Sequence, residues 1–173
     1  MPAAPPTHTL DASPYLVAWV AHAVPELGPP APGKPPRVFA QQAPQDQPGP
    51  HAVYARTGRK LWGDQRGPDG LVSTTFQLEV FSRLRPDAEG LAARVYGVPG
   101  DESAVGLLGF RGLLSLTPGV DPPPDDPPAR LWVQWVTAGD GDREEYDRPA
   151  EARPFGWFAS VVVLTVHHET KLR

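Results

Sequence analysis

Five histidines are the residues of this chain best suited to metal binding or acid–base catalysis: His8, His22, His51, His167 and His168. None of them forms an H-x-x-x-H or H-E-x-x-H pair, and the chain has no cysteine, so the common zinc-ligand patterns are missing. His167 and His168 are adjacent on a predicted strand, where neighbouring side chains point to opposite faces of the sheet. The two rings therefore cannot bind one metal ion, and we expect polar positions near the surface at the end of a strand.

The sequence motifs of the common enzyme classes are also missing. The chain has no G-x-S-x-G elbow, no phosphate-binding loop that ends in Gly-Lys-Ser or Gly-Lys-Thr, and no G-x-G-x-x-G between a strand and a helix. Each of these motifs places a nucleophile or a cofactor phosphate at a strand end. We therefore predict no enzyme activity, no catalytic residue and no cofactor.

Acidic residues are concentrated in GDGDREE at 139–145, which resembles a calcium-binding loop. An EF-hand needs further acids at set positions, a glycine at the sixth and a glutamate at the twelfth, and this stretch does not supply them. A solvated loop is the simpler interpretation. Asp121, Asp125 and Asp126 stand among prolines and also favour a solvated loop, so we predict no metal site.

Basic residues gather between positions 56 and 66, with Trp62 among them. Such a cluster could contact a phosphate backbone or an RNA base, but Asp64 and Asp69 dilute its charge. Arginine and tryptophan are enriched at the energetic centres of protein interfaces, so we favour a protein contact. The predicted interface residues are Arg56, Arg59, Lys60, Trp62, Asp64, Arg66, Asp142, Arg143 and Glu144.

The stretch at 71–96 must position that cluster. Its first half alternates, with Val72, Phe76 and Val80 among the side chains that point one way, which predicts a half-buried strand. Arg85-Pro86-Asp87 then predicts a helix start, with Arg85 extended because a proline follows it. Apolar residues at helical spacing follow as far as Val95, so we expect the helix to fold back over the strand.

The remaining elements follow from caps, alternation and turn residues. We predict a helix at 13–27 capped by Asp11 or Ser13, strands at 37–41, 51–56, 130–137 and 155–168, a polar connection at 57–70 that forms an extended hairpin tip, and either a helix or a turn and strand at 105–114. The last strand is apolar on both faces, so it should lie inside the sheet. The sum is an α+β fold, with a mainly antiparallel sheet of about five strands and two or three helices on one face.

Composition limits the broad class of protein. The chain has 173 residues with a formal net charge of −4, which favours one domain and does not resemble a basic nucleic-acid binder. No apolar run is long enough to span a membrane, and no export signal is expected. The 24 prolines cluster, which predicts a flexible arm at 1–10, a single domain at 11–173, and proline-rich insertions near 29–36 and 117–129.

The order of these elements resembles a known family, the tail terminator or tail completion proteins of long-tailed bacteriophages and related phage-like particles. The resemblance covers most of residues 13–169. It is carried by the opening helix 13–27, RVFAQQAPQDQPGPHAVYART (37–57), the Asp-Gly-Leu at 69–71, TTFQLEVFS (74–82), PDAEGLAARV (86–95), Gly-Phe-Arg-Gly (109–112), REEYDRP (143–149) and VVVLTVHHE (161–169). The proline-rich arm, the break at 97–104 and the loop at 117–129 are additions to the family's pattern.

The resemblance implies a structural virion protein without catalysis or cofactor. Such a subunit forms a hexameric ring at the head-proximal end of the tail tube, stops tube growth and joins the tail to the head–tail connector. Its expected partners are copies of itself, the tail tube protein and the connector protein, with DNA only as passing cargo and no membrane. The expected location is the neck or tail of a virion assembled in the cytoplasm of a bacterial host.

Two other functions stay open. One is a different neck or head completion protein. The other is a small ligand-binding or hydrolytic α+β domain, which would need a polar pocket that the sequence does not indicate.

Overall fold

The computed structural model describes residues 10–44, 47–64, 67–97, 106–118, 130–139 and 156–172. Its helices are α1 (Ser13–Ala23) and α2 (Arg85–Tyr96), with a short 3-10 helix at Pro25–Leu27. Its strands are β1 (Val38–Ala40), β2 (His51–Asp64), β3 (Gly67–Ser82), β4 (Gly112–Leu114), β5 (Leu131–Ala138) and β6 (Phe158–Leu172). The predicted arm, except for Leu10, and most of the predicted insertion at 117–129 lie outside the described residues.

All six strands form one mixed sheet in the order β1-β2-β3-β6-β5-β4, curled into a half-barrel. The α+β class is confirmed, but the expectation of a mainly antiparallel sheet of about five strands is wrong. The sixth strand is β4, because the ambiguous segment at 105–114 forms a turn and then a strand. The sheet is mixed because β1 pairs with β2 in parallel, the chain crossing over within the ten residues between Ala40 and His51.

The alternation in β3 positions the core. Phe76, Leu78 and Val80 are buried in one apolar cluster that also contains Leu16 and Val20 of α1 and Leu91 and Val95 of α2. Both α-helices therefore contribute to the core on the same face of the sheet. β6 lies between β3 and β5, which confirms the prediction of an interior strand.

The opposite face of the sheet carries the other half of the β3 alternation: Ser73, Thr75, Gln77, Glu79 and Phe81. Ser73, Glu79 and Phe81 are buried, and Thr75 and Gln77 are partly exposed. The face is thus polar toward the hairpin end of the sheet and aromatic at the other end.

Both helices begin close to their predicted positions, with differences at the caps. The N-cap residue of α1 is Ala12, so the predicted cap at Asp11 or Ser13 is wrong. Asp11 nevertheless accepts hydrogen bonds from the Ser13 backbone N–H at 3.0 Å and the Ser13 hydroxyl at 2.6 Å, so its carboxylate satisfies a first-turn donor. In α2, Leu84 is the extended residue and Arg85 is already helical, so the predicted extended geometry lies one residue earlier. Pro86 still falls in the first turn, where a missing N–H costs nothing.

The predicted connection at 57–70 is almost entirely strand. β2 and β3 pair from His51↔Phe81 to Asp64↔Gly67, so the described residues of this connection belong to the two paired strands, and residues 65 and 66 lie outside the described residues. β3 pairs with β6 only as far as Leu71↔Glu169, and beyond that point its partner in the described structure is β2 alone. The extended hairpin is confirmed, and the length assigned to its loop is wrong.

Candidate interaction surface

The predicted basic cluster lies on β2, in the outer half of the long hairpin. Arg56, Arg59 and Lys60 are exposed there, and Trp62 and Asp64 belong to the same strand, nearer its tip. Arg66, Asp142, Arg143 and Glu144 lie outside the described residues, as does the acidic loop at 140–145. The structure therefore places three of the predicted basic side chains.

A bulge in β2 decides which of these three side chains share a face of the sheet, because alternation along a strand always places Arg59 and Lys60 on opposite faces. Arg56 lies opposite Phe76, but the next pair is Gly58↔Thr75, so Thr57 is the extra residue. Arg59 then lies opposite Thr74 and Lys60 opposite Ser73. Directly opposed residues share a face, so the two arginines lie on the helix side, with Lys60 on the other side.

Asp11 meets the two arginines on the helix side. Its carboxylate lies 3.7 Å from the Arg56 guanidinium, with both side chains about half exposed at 46% and 56%. Burial raises the pKa of Asp11, but the hydrogen bonds from Ser13 and the charges of Arg56 and Arg59 outweigh it and lower the pKa overall. Asp11, two residues before the start of α1, thus also contacts the β2 strand of the hairpin.

The outer edge of β2 is open along most of its length. β1 pairs only with Ala52, Val53 and Tyr54. Gln41 donates its N–H to the Tyr54 carbonyl at 2.9 Å and has a φ of 63°, a left-handed conformation that is uncommon for a residue other than glycine. Among the described residues, no strand pairs with the outer side of β2 between Ala55 and Asp64.

Polar side chains form a cross-strand rung on the face away from the helices. Ser73 lies opposite Lys60 and also opposite His167, which in turn lies opposite Trp135. The Ser73 hydroxyl is 2.7 Å from His167 Nδ1, and the Trp135 indole stacks on the imidazole with ring centroids 4.6 Å apart. The next rung contains a Thr75–Thr165 hydroxyl pair at 2.9 Å.

Sequence reasoning missed this polar rung. Ser73, His167 and Trp135 are far apart in the chain, and only the register of three strands brings them together. The one local signal was the polar half of the β3 alternation, which indicated a polar face but not its partners.

The Ser73–His167 pair has the short distance of a nucleophile and its general base. Its surroundings do not support that role. His167 Nε2 is 3.4 Å from the Thr137 hydroxyl, which is a neutral group and a weak orienting partner compared with a carboxylate. Both residues lie within paired strands, where backbone N–H groups bond neighbouring strands and are not grouped to stabilise an oxyanion. The pair is best explained as a satisfied buried polar contact.

His168 points to the helix side and is completely buried, at 0% exposure. Its Nδ1–H donates to the Glu169 carbonyl at 2.9 Å, and Nε2 lies 3.0 Å from the Thr74 hydroxyl. The prediction that His167 and His168 face opposite sides is confirmed. The prediction that they lie near the surface is wrong, because His168 is buried on the helix side and the Trp135 indole stacks over His167 on the other face.

His51 lies at the far end of the same sheet, away from the hairpin tip. Its ring stacks on Phe81 with centroids 5.0 Å apart and meets Trp157 edge-on at 4.9 Å. The Arg83 guanidinium lies over the Trp157 ring at 4.1 Å. Burial lowers the pKa of His51, and the charges of Arg37 and Arg83 lower it further, against a hydrogen bond to the Gly49 carbonyl that raises it. This cluster joins the start of β6 to β2 and β3.

The described part of the chain contains no group of three or more histidine, cysteine, aspartate or glutamate residues that could hold a metal ion. Within the same residues, no helix is both long and apolar enough to cross a bilayer.

No protein-family model matches this chain, and no curated protein matches it.

Proposed function

We propose that this protein is a structural subunit that forms a hexameric ring at the head-proximal end of a phage or phage-like tail. In that role it ends the growth of the tail tube and joins the tail to the head–tail connector. Its partners are copies of itself, the tail tube protein and the connector protein, and DNA only passes through the ring. It acts in the virion after assembly in the bacterial cytoplasm.

The observation that carries this proposal is the β2–β3 hairpin. Its strands stay paired with each other to Asp64↔Gly67, whereas β6 leaves β3 at Leu71. Leu61 on this extension is 55% exposed, and Arg59 and Lys60 beside it are exposed as well. This two-stranded extension of the hairpin, the hairpin arm, carries an exposed apolar side chain next to two cations, which suits contact with a neighbouring subunit better than binding of a small molecule.

The rest of the fold supports a scaffold. One apolar core joins α1, the sheet and α2. This core holds the part of the β2–β3 hairpin that lies within the sheet. The described partner of His167 Nε2 is the neutral Thr137 hydroxyl at 3.4 Å, and a neutral group orients a general base less strongly than a carboxylate, which makes hydrolysis the weaker alternative. A different neck or head completion protein would use the same arm, and the two structural roles differ in the ring's partner.

The test is assembly of the purified full-length chain. Native mass spectrometry and negative-stain imaging should show six-membered rings, and the rings should cap preformed tail tubes and stop their elongation. A chain that stays monomeric at all concentrations and never adds to tubes would contradict the proposal. Rings that bind the connector but not the tube would favour the alternative neck protein.

A further inference from the structure

The outer edge of β2 between Ala55 and Asp64 is the longest stretch of strand in the described structure with a partner on one side only. An unpaired edge presents alternating backbone N–H and C=O groups to solvent, which is a template for one more strand. Natural edges are protected by a short length, a covering segment, proline, β-bulges or charged side chains. Over this length the described residues show no covering strand and no proline, but they do carry register shifts at Arg56/Gly58 and Leu61/Gly63 and a row of cationic side chains. The bulges and the charges restrict which strand can pair there.

The strand β1 covers this edge of β2 only as far as Tyr54. β1 occupies the position of the next strand as far as Ala40↔Tyr54, and Gln41 then bonds Tyr54 and turns away with a φ of 63°. The vacant position therefore continues the line of an existing strand. A segment placed there would extend a sheet whose twist and spacing are already set by β1, β2 and β3.

The charges along this edge of β2 determine which kind of extended segment could pair with it. Arg56 and Arg59 share one face and are exposed, so an added strand would meet two cations on that face. Pairing with the same edge of a second copy would set these cations against their equivalents, and like charges opposite each other destabilise a strand pair. An extended segment that carries acidic residues would instead gain complementary pairs as well as backbone hydrogen bonds.

A nucleic acid fits the edge less well than a peptide. The hairpin sequence contains Asp64 and Asp69, and the whole chain has a net charge of −4. Phosphate binding gains affinity from many uncompensated cations, and it would leave the row of backbone donors and acceptors unused.

We propose that the outer edge of β2 from Ala55 to Asp64 binds an extended acidic segment of a partner protein as an added β-strand. The inference rests on the proposed function only in treating the hairpin as a protein-contact element. It adds the mode of contact and the chemistry of the partner segment.

The probe is a blocked ten-residue peptide of alternating threonine and glutamate, added to the full-length chain labelled with ¹⁵N. Hydrogen exchange should slow by about tenfold or more at alternate backbone amides between Ala55 and Asp64, since each added ladder bond protects one amide. Two further peptides are methylated on one or the other set of alternate backbone nitrogens. One of the two should lose at least about tenfold in affinity, because only one set faces the edge.

Charge reversal gives a second, independent measurement. Arg59→Glu should weaken binding of the acidic peptide about tenfold or more, and Arg111→Glu should leave it unchanged, because Arg111 precedes β4 at the opposite edge of the sheet. Both residues are exposed, so the two variants make the same charge change at different edges.

Several results would overturn the inference. They are absence of peptide binding, binding without protection of the β2 amides, equal affinity of both methylated peptides, stronger protection by a ten-nucleotide thymidine strand, and protection that grows with protein concentration in the absence of peptide. The last two would assign the edge to nucleic acid and to a second copy, respectively. If rings form but the peptide does not bind, this inference is wrong and the proposed function is unaffected. If the peptide binds to a chain that always stays monomeric, the proposed function is wrong and this inference is unaffected.

Discussion

Thr74 and Thr75 are adjacent on β3 and give a matched comparison of the two faces of the sheet. Thr74 is 2% exposed and hydrogen-bonded to the fully buried His168. Thr74→Val removes that bond and leaves an imidazole nitrogen unsatisfied in the core, which should lower the free energy of unfolding by about 1–3 kcal/mol. Thr75→Val loses a bond on the partly exposed face, where water can replace it, and should cost less than about 1 kcal/mol. Urea denaturation measures both, and equal losses would show that burial of His168 does not set the cost.

The buried histidines make stability depend on pH. Burial lowers the pKa of His51, His167 and His168 below the ordinary 6.5, so at mildly acidic pH the unfolded chain binds more protons than the folded one. Stability is therefore full above pH 6.5 and falls as the pH drops below it, by at most about 1.4 kcal/mol per pH unit for each group until its folded pKa is reached. Urea midpoints at several values between pH 8 and pH 5 should show this decline.

His51→Phe tests one share of that pH dependence. The phenyl ring keeps the contacts with Phe81 and Trp157 and cannot be protonated beside Arg37 and Arg83, so the decline below pH 6.5 should become shallower. His22→Gln, at an exposed position of α1, is the control and should keep the wild-type slope. An unchanged slope in His51→Phe would mean that the other two histidines carry the effect.

Helix α2 has one glycine within it, Gly90, and one directly after it, Gly97, and their replacement by alanine should have opposite effects. Gly97 ends the helix with a φ of 87°, and a Cβ there would lie 2.8 Å from the Gly106 Cα, so Gly97→Ala should destabilise the fold by more than about 1 kcal/mol. Gly90 is an exposed residue within the helix with nothing within 4 Å of an added Cβ. Gly90→Ala should stabilise by about 0.5–1 kcal/mol. Thermal unfolding of both variants measures these changes in stability. If both variants are stabilised or both are destabilised, the assignment of Gly97 as the helix terminator is contradicted.

At the scale of helices and strands, local sequence patterns predicted most elements but not which strands pair with each other. The alternation in β3, the apolar β6 and the start of α1 were all predicted from residues close together in the chain. The parallel β1–β2 pair depends on a crossover that no local pattern specifies. The bulge at Thr57 also escaped notice, although Gly58 inside a strand is a typical sign of one. Strand alternation divides a cluster predicted as one patch between two faces, and because of the bulge Arg59 rather than Lys60 shares a face with Arg56.

In the whole molecule, the helices and the central sheet form a scaffold, and the outer part of the β2–β3 hairpin forms an arm. This separation explains why the candidate site was only partly predictable. Residue types indicated that the hairpin meets a protein, since Arg56, Arg59 and Trp62 are common at interfaces. The open edge of β2 could not be predicted, because it depends on where β1 stops. An interaction site made from backbone groups leaves no signature in side-chain composition, and only the pairing of the strands locates it.

Trp62→Ala tests whether the arm and the scaffold are separate in function. Trp62 lies in β2 beyond Leu61↔Val72, past the last β3–β6 pair, so its loss should weaken ring assembly about tenfold or more, as expected for an aromatic interface anchor. Its effect on unfolding should be smaller. Trp135→Ala is the matched control: Trp135 stacks on His167 in the sheet and is 41% exposed, so its removal should lower stability and leave assembly unchanged. Assembly is measured by native mass spectrometry across a concentration series, and stability by urea denaturation of the same samples. An unchanged assembly equilibrium for Trp62→Ala would remove the arm from the subunit interface and leave the scaffold as the surface through which rings form.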